Sequence, residues 1–293
     1  MPDTTPAQRP ANPRFSVVVP TCRRNDALSR CLNRLMADGQ HLPAGQFEVI
    51  ISDDGPEGNN ARLLVENTYP GMQWVEGPRR GPAANRNRGA SRARGEWLVF
   101  TDDDCLPQPG WLSSFAARLE EVGGDRLRVL EGRTTAGDVP PIGPRFTSPV
   151  NEHGGLMWSC NFAIERRLFF EMGGFDERFP FPHLEDVDLR LRLDDRQEPY
   201  PFVPEALVEH PPRPEGSARS WVRSRESAFY LAQKRGVPLA AVHFGPYFYL
   251  RGHYNTLRDC QSAGDVFWTA RRVAVELALL AWYVPRWKAK YRP

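Results

Sequence analysis

Over the first hundred residues, short apolar runs alternate with longer amphipathic stretches. Phe15-Ser-Val-Val-Val19, Phe47-Glu-Val-Ile-Ile51 and Trp97-Leu-Val-Phe100 are β-branched or aromatic and bounded by turn formers, the pattern of strands covered on both faces. Between them, Asn25 to Met36 sets Leu28, Cys31, Leu32 and Leu35 at helical spacing. A helical Asn59 to Thr68 precedes a weaker strand-like Met72 to Val75, and Pro82 to Arg94 is an alanine- and arginine-rich helix opened by Gly81-Pro82. Strand and helix in that alternation predict right-handed crossovers and an α/β domain with a mostly parallel central sheet. Such sheets bind ligands beyond the carboxyl ends of their strands. Here those ends are Pro20-Thr21, Ser52-Asp53-Asp54-Gly55 and Thr101-Asp102-Asp103-Asp104, so carboxylates gather on one rim.

The second half is less periodic. From about Ala136 to Pro149 the chain is rich in Pro and Gly, which predicts a mobile loop. Gly154 to Glu165 reads as a strand, Arg166 to Met172 as a short helix, Leu184 to Leu193 as a helix opened by acids, and Pro199 to Val203 as extended chain. Beyond Pro211-Pro212-Arg213-Pro214 three helices are expected, over Ser217 to Arg235, Tyr247 to Gln261 and Asp265 to Val284. The expected organisation is a disordered leader over residues 1–13, with prolines where a signal peptide is apolar, an α/β domain over 14–212 and a C-terminal helical extension over 213–293.

No run reaches the ~18 to 20 uninterrupted apolar residues of a transmembrane helix. The nearest, Val273 to Val284, is interrupted by Glu276 and followed by the aromatic and basic Pro285-Arg286-Trp287-Lys288 and Lys290-Tyr291-Arg292. Two readings stand for this segment: a helix packed on its own core, or one in peripheral contact with a membrane.

Apolar residues are 41% and charged residues 25% of the 293, which excludes a disordered, fibrous or polytopic membrane chain. The formal charge of +2 supplies no global field for nucleic acid, so any anion is held locally. Arg219, Trp221, Arg223 and Arg225 form a local basic patch suited to a lipid-phosphate acceptor or a membrane surface. Only three of 38 basic residues are lysines, which leaves many guanidinium forks for phosphates and carboxylates. Five cysteines without a CxxC spacing suggest neither a disulfide framework nor a zinc cluster. They fit a reducing cytoplasm, with the inner face of the plasma membrane as the alternative placement.

Three adjacent aspartates repel one another unless a cation or donor groups offset them. The outer pair of Asp102-Asp103-Asp104 point the same way if strand geometry persists, and hard cations such as Mg2+ or Mn2+ take carboxylate oxygens while leaving positions for phosphate. The competing reading is a solvated acidic turn. Arg79, Arg80, Arg86 and Arg88 precede the strand that delivers the triplet and suit a metal-bridged pyrophosphate; Arg92 and Arg94 read instead as an ion-paired helix face. Neither GxxxxGK[ST] nor GxGxxG occurs, which removes the fingerprints of ATPase and nicotinamide sites. Glu185-Asp186-Val187-Asp188 opens a helix, where the helix dipole alone favours acids, but it holds one carboxylate more than that stabilisation needs. A carboxylate there suits removal of a proton from an attacking hydroxyl.

Five stretches in order now resemble the family 2 glycosyltransferases: Phe15-Ser-Val-Val-Val-Pro-Thr21, Glu48-Val-Ile-Ile-Ser-Asp-Asp-Gly55, Gly81 to Glu96, Phe100-Thr-Asp-Asp-Asp-Cys105, and Gly173-Gly-Phe-Asp-Glu-Arg-Phe179 with Glu185-Asp-Val-Asp-Leu189. The resemblance covers about residues 14–212 and implies the GT-A fold, a Rossmann-like nucleotide-sugar domain. It implies that Pro20, Thr21 and Asp54 frame the base and ribose, that Arg86 approaches the base or diphosphate, and that Asp102 and Asp103 lie at the nucleotide. The first and last positions of the family's DxD motif fall on Asp102 and Asp104, which with His210 would hold Mn2+ or Mg2+; a histidine before two prolines also has a purely structural reading. Asp186, with Glu185, matches the catalytic base of inverting members, and Trp158, Asn161, Gly174 and Phe175 would line the sugar and acceptor subsites.

The implied activity is metal-dependent, inverting transfer from a UDP-, GDP- or dTDP-sugar to a hydroxyl of a glycan or lipid-linked acceptor in surface polysaccharide or glycolipid synthesis. The alternatives are a retaining transferase on the same fold, a sugar nucleotidyltransferase, and a non-catalytic glycan- or nucleotide-binding scaffold. Pro20-Thr-Cys-Arg-Arg24 lacks the Gly-rich basic loop of a nucleotidyltransferase. No nucleic-acid partner is expected.

Overall fold

The computed structural model describes residues 13–43, 45–123, 127–138 and 143–292. The leader expected over residues 1–13 lies outside them, apart from Pro13. Two compact units interleave along the chain. The first comprises residues up to Gly137, Pro149–Glu177 and Asp186–Pro211; the second comprises Asp138–Ser148, Arg178–Glu185 and the chain from Pro212.

The first unit begins β1 (Phe15–Thr21), α1 (Asn25–Arg34), α2 (Ala37–Gln40), β2 (Phe47–Asp53), α3 (Ala61–Thr68), β3 (Gln73–Glu76), α4 (Pro82–Ala90), β4 (Trp97–Phe100), β5 (Leu106–Pro107), α5 (Trp111–Val122) and β6 (Val129–Thr135). After β7 (Phe146–Thr147), which belongs to the second unit, come β8 (Phe162–Glu165), α6 (Arg166–Glu171), α7 (Glu185–Asp195) and β9 (Phe202–Glu209). Eight strands form one sheet in the order β3-β2-β1-β4-β8-β6-β9-β5. β1 runs parallel to β2 and β4, β2 to β3 and β6 to β9, whereas β8 is antiparallel to β4 and β6, and β5 to β9.

Continuous apolar runs are explained by burial on both faces. Val17, Val19, Val49, Ile51 and Val99 join one core with α1, α3 and α5, and the alternate residues Val18, Ile50, Leu98 and Phe100 join the other with α4, α6 and α7. The Gly154 to Glu165 segment departs from its predicted strand: only Phe162–Glu165 pairs, because the preceding residues turn their amides onto Glu131 instead. α5 and β6 carry no prediction above, yet they supply one face of the core and an inner strand.

In the second unit β7 pairs antiparallel with β10 (Arg213–Pro214), so part of the loop expected over Ala136 to Pro149 is a strand; its residues 139–142 lie outside the described residues. The helix expected over Ser217 to Arg235 is two, α8 (Ala218–Ser224) and α9 (Glu226–Arg235), the first capped by Ser217 Oγ on the Ser220 amide. α10 (Pro246–Arg258) and α11 (Ala263–Lys290) complete it. α11 continues past Val284, where the expected helix ends, and through Pro285, because its last turns are anchored: Trp287 is buried on Val222 and Phe229, and Glu226 accepts from Trp287 Nε1, Lys290 Nζ and Tyr291 Oη at 3.0, 2.7 and 3.0 Å.

Candidate functional site

Sheet register assembles the rim. β4 lies beside β1 with Val18 opposite Phe100, so Asp102 to Asp104 leave the sheet next to Pro20 and Thr21. Thr21 in turn faces Asp53 across β2. Leu106 pairs with Glu209, which sets His210 beside Asp104 and Cys105. Asn85 on α4 ties the first two strand ends together, donating to Thr21 O at 3.2 Å and Ser52 O at 2.8 Å and accepting from Ser52 Oγ at 2.6 Å.

The three aspartates are separated by their partners. Asp102 Oδ1 accepts from the buried Arg86 at 2.6 Å. Burial disfavours the Asp102 anion, but Arg86, His210 and Arg24 together outweigh it and hold the carboxyl below its ordinary value. Asp103 points inward with no exposure, takes Thr21 Oγ1 at 2.6 Å and pairs with Arg24 at 2.6 Å. Burial pushes its carboxyl up to about 7 against the pull of Arg24 and Thr21. Asp104 meets Arg24 at 2.5 Å and His210 Nε2 at 3.5 Å.

Asp104, Cys105 and His210 bring one ligand atom each to within 4.8 Å of one another. Carboxylate oxygen and imidazole nitrogen suit Mn2+, and a carboxylate suits Mg2+, so Asp104 and His210 fit the expected ion, whereas the soft sulfur of Cys105 does not. Cys105 is an unanticipated member, and Asp102 lies outside the group with one oxygen committed to Arg86.

The second carboxylate cluster feels the charge of the same guanidinium. Asp186 lies in the first turn of α7, where Oδ1 accepts from the Val187 amide at 2.8 Å and Oδ2 from the Ser159 amide at 3.5 Å. Burial raises its carboxyl above the usual range, while these amides and Arg86 pull it down. Arg86 itself is braced by Phe175, 5.6 Å from its Cζ, and that ring packs edge-on against Phe100. Glu185, next to Asp186, is buried at the start of α7.

Other expected residues are placed differently from one another. Asp54 accepts from the Arg79 and Gly81 amides at 2.8 and 3.0 Å, closing the loop before α4, and burial raises its carboxyl. Gly174 has φ +68°, and a Cβ there would meet Asn87 Oδ1 at 2.6 Å, so it shapes a turn that Asn87 clamps through the Phe175 N–H and C=O. Trp158 is half-buried and donates to Val150 O at 3.2 Å. Asn161 is not brought to the rim: it is 1% exposed, accepts from Trp111 Nε1 and donates to the Arg133 and Ala206 carbonyls.

Two residues escape the sequence reading. Arg24 spans Asp103 and Asp104, and its only signal is its place in Pro20-Thr-Cys-Arg-Arg24. Glu131 is buried in β6 and accepts from Asn151 Nδ2 at 2.7 Å and from the amides of Gly155 and Leu156 at 2.6 and 2.9 Å, with Met157 as a further donor. It thereby fixes the segment that ends at the Ser159 amide beneath Asp186; a lone acid between Leu130 and Gly132 is its only trace in the sequence.

A Glycosyl transferase family 2 model matches residues 16–169, more than half of the chain. The chain belongs to this family, and with it to the glycosyltransferases. It is 26% identical over 215 residues to the glycosyltransferase AglE of Haloferax volcanii, covering 70% of this chain and 69% of that one. It is 28% identical over 255 residues to the pre-mycofactocin glycosyltransferase of Mycobacterium tuberculosis, covering 81% of this chain but spanning only 50% of that relative's length. Among solved structures, the mannosyltransferase PcManGT from Pyrobaculum calidifontis, in complex with GDP-Man and Mn2+, superposes with a TM-score of 0.56 at 21% identity, over 94% of this chain and 76% of that one. That likeness establishes the shared GT-A architecture.

Proposed function

We propose that the chain is a metal-dependent, inverting glycosyltransferase that moves a sugar from a nucleoside diphosphate to a hydroxyl of a glycan or lipid-linked acceptor. One arrangement carries this reading: Arg86 bonds Asp102 at 2.6 Å on the strand end that also presents Asp104 to His210, and Asp186, some eighty residues on, lies within reach of the same charge. The GDP-Man and Mn2+ named for the Pyrobaculum structure support a nucleotide-sugar donor and a cation. Asp104 and His210 would hold that ion, Mn2+ or Mg2+, which when bound supplies positive charge for the diphosphate.

In the proposed reaction Asp186 takes the proton of the acceptor hydroxyl as its oxygen attacks the anomeric carbon. The bond from that carbon to the diphosphate oxygen breaks, and its electron pair leaves with the nucleotide. Arg86 meets the charge appearing there, so a preorganised cation acts when it is most needed. A single displacement inverts the anomeric configuration. The half-buried Asp186 is a stronger base than an exposed aspartate but must be ionised to act, so the acid limb of the rate profile should sit above the ordinary carboxylate value near 4.

Asp186→Asn should lower transfer by about a thousandfold with nucleotide affinity, measured by calorimetry, nearly unchanged. Near-normal turnover would refute the base assignment, and NMR showing retained configuration would return the retaining alternative.

A further inference from the structure

The C-terminal turns of α11 pack an apolar core with α8 and α9, but its middle meets α10 through polar groups. Glu276, at the middle of α11, is fully buried, where Arg272 Nε meets it at 2.7 Å, His253 Nε2 at 3.1 Å and Tyr249 Oη at 3.3 Å. With α10 and the middle of α11 joined by that polar seam, a set of their apolar side chains is left outside. On α10, Tyr247, Leu250, Tyr254 and Leu257 fall at i, i+3, i+7 and i+10, one stripe of the helix, and all four are exposed. On α11, Phe267 is 72% and Trp282 60% exposed, with Val275 and Leu277 also in solvent. Apolar surface of this extent marks a contact with something other than water.

Charge identifies the partner. Arg251 and Arg258 on α10, and Arg271, Arg286 and Lys288 on α11, are exposed, whereas neither helix exposes an acidic side chain. Arg286 lies over the Trp282 ring at 3.5 Å, a basic and aromatic pair suited to the headgroup level. Self-association across this face would set like charges together without a counter-charge. Among the described residues no helix is long and apolar enough to cross a membrane, and α11, about 42 Å long by its 28 residues, is shaped to lie along one.

We propose that the outer faces of α10 and α11 rest in the headgroup layer of an anionic bilayer, with Tyr254, Phe267 and Trp282 inserted and the arginines on lipid phosphates. This goes beyond the transferase reading and does not depend on it.

The test is flotation of the full chain with vesicles of phosphatidylcholine containing about one-third phosphatidylglycerol, against phosphatidylcholine alone. Binding is expected to the first and to be released in about 1 M salt, where the Debye length falls to about 3 Å. Leu250→Ser with Phe267→Ser should weaken it about tenfold or more. Arg271→Gln with Lys288→Gln should weaken it about fivefold per charge removed. These sites are exposed, so circular dichroism should show the variants folded. Absence of binding to the anionic vesicles overturns the proposal, as does equal binding to neutral ones. A salt-resistant dimer in sedimentation without lipid, lost in Phe267→Ser, also overturns it and assigns the face to a second copy of the chain.

Discussion

The α/β unit and the helical unit solve opposite problems with the same residue types. At the sheet rim, acids cluster in partly buried positions and arginines hold them there: Arg24 serves Asp103 and Asp104, and Arg86 serves Asp102 and Asp186. In the helical unit an acid, Glu276, is sealed inside, and the arginines of α10 and α11 other than Arg272 stand outside among apolar side chains. Burying like charges is costly and is tolerated where chemistry uses it. Exposing Phe267 and Trp282 is likewise costly in water, so it indicates that water is not the only medium this face meets.

Arg86→Ala is the strongest way to break the contrast, since it leaves Asp102 and Asp186 without their shared cation. Transfer should fall about a hundred- to a thousandfold, and Arg86→Lys should recover only part of it because an ammonium lacks the planar fork that grips a phosphate bidentately. Steady-state kinetics near the wild-type level would mean that the rim charges are merely structural. Glu131→Gln sharpens the comparison within the first unit: the amide keeps one acceptor but sets its own N–H groups against backbone donors. Urea unfolding should show a loss of about 3 kcal/mol.

The smallest effect tests the second unit. His183 Nε2 lies 2.9 Å from Arg225, and burial together with that guanidinium lowers its value from 6.5 to about 3. Burial also lowers Arg225 itself, to about 10. The unfolded chain therefore binds a proton between those two histidine values that the folded chain refuses, so stability falls as the pH drops through that window. His183→Gln retains an acceptor and does not titrate. Between about pH 7 and pH 5 it should lose about 1–2 kcal/mol less than the wild type, read as the difference in melting temperature.

What the sequence disclosed followed physical rules that act locally. β1, β2 and β4 were legible because strands buried on both faces must be apolar throughout, and the rim because strand ends at a parallel sheet converge. Arg86 was legible locally as one of four arginines before the triplet, and singled out from Arg88 only through the order of five motifs. Glu131, and the turn it organises, was not legible: its partners are backbone amides of Gly155, Leu156 and Met157, and a hydrogen bond to an amide leaves no mark on side-chain type. Asn161 was misleading for the same reason, as an amide side chain reads alike whether it binds a sugar or, as here, the carbonyls of Arg133 and Ala206.

Arg86 is a single cation with two claimants. A diphosphate entering beside it becomes a third, and whatever hold it gains on the guanidinium is withdrawn from Asp186, whose affinity for a proton then rises. With Asp186 as the proposed base, arrival of the donor would in this way strengthen it. An acid limb in kcat, with the donor bound, that lies at higher pH than the limb in kcat/KM for the donor would register that transfer of charge.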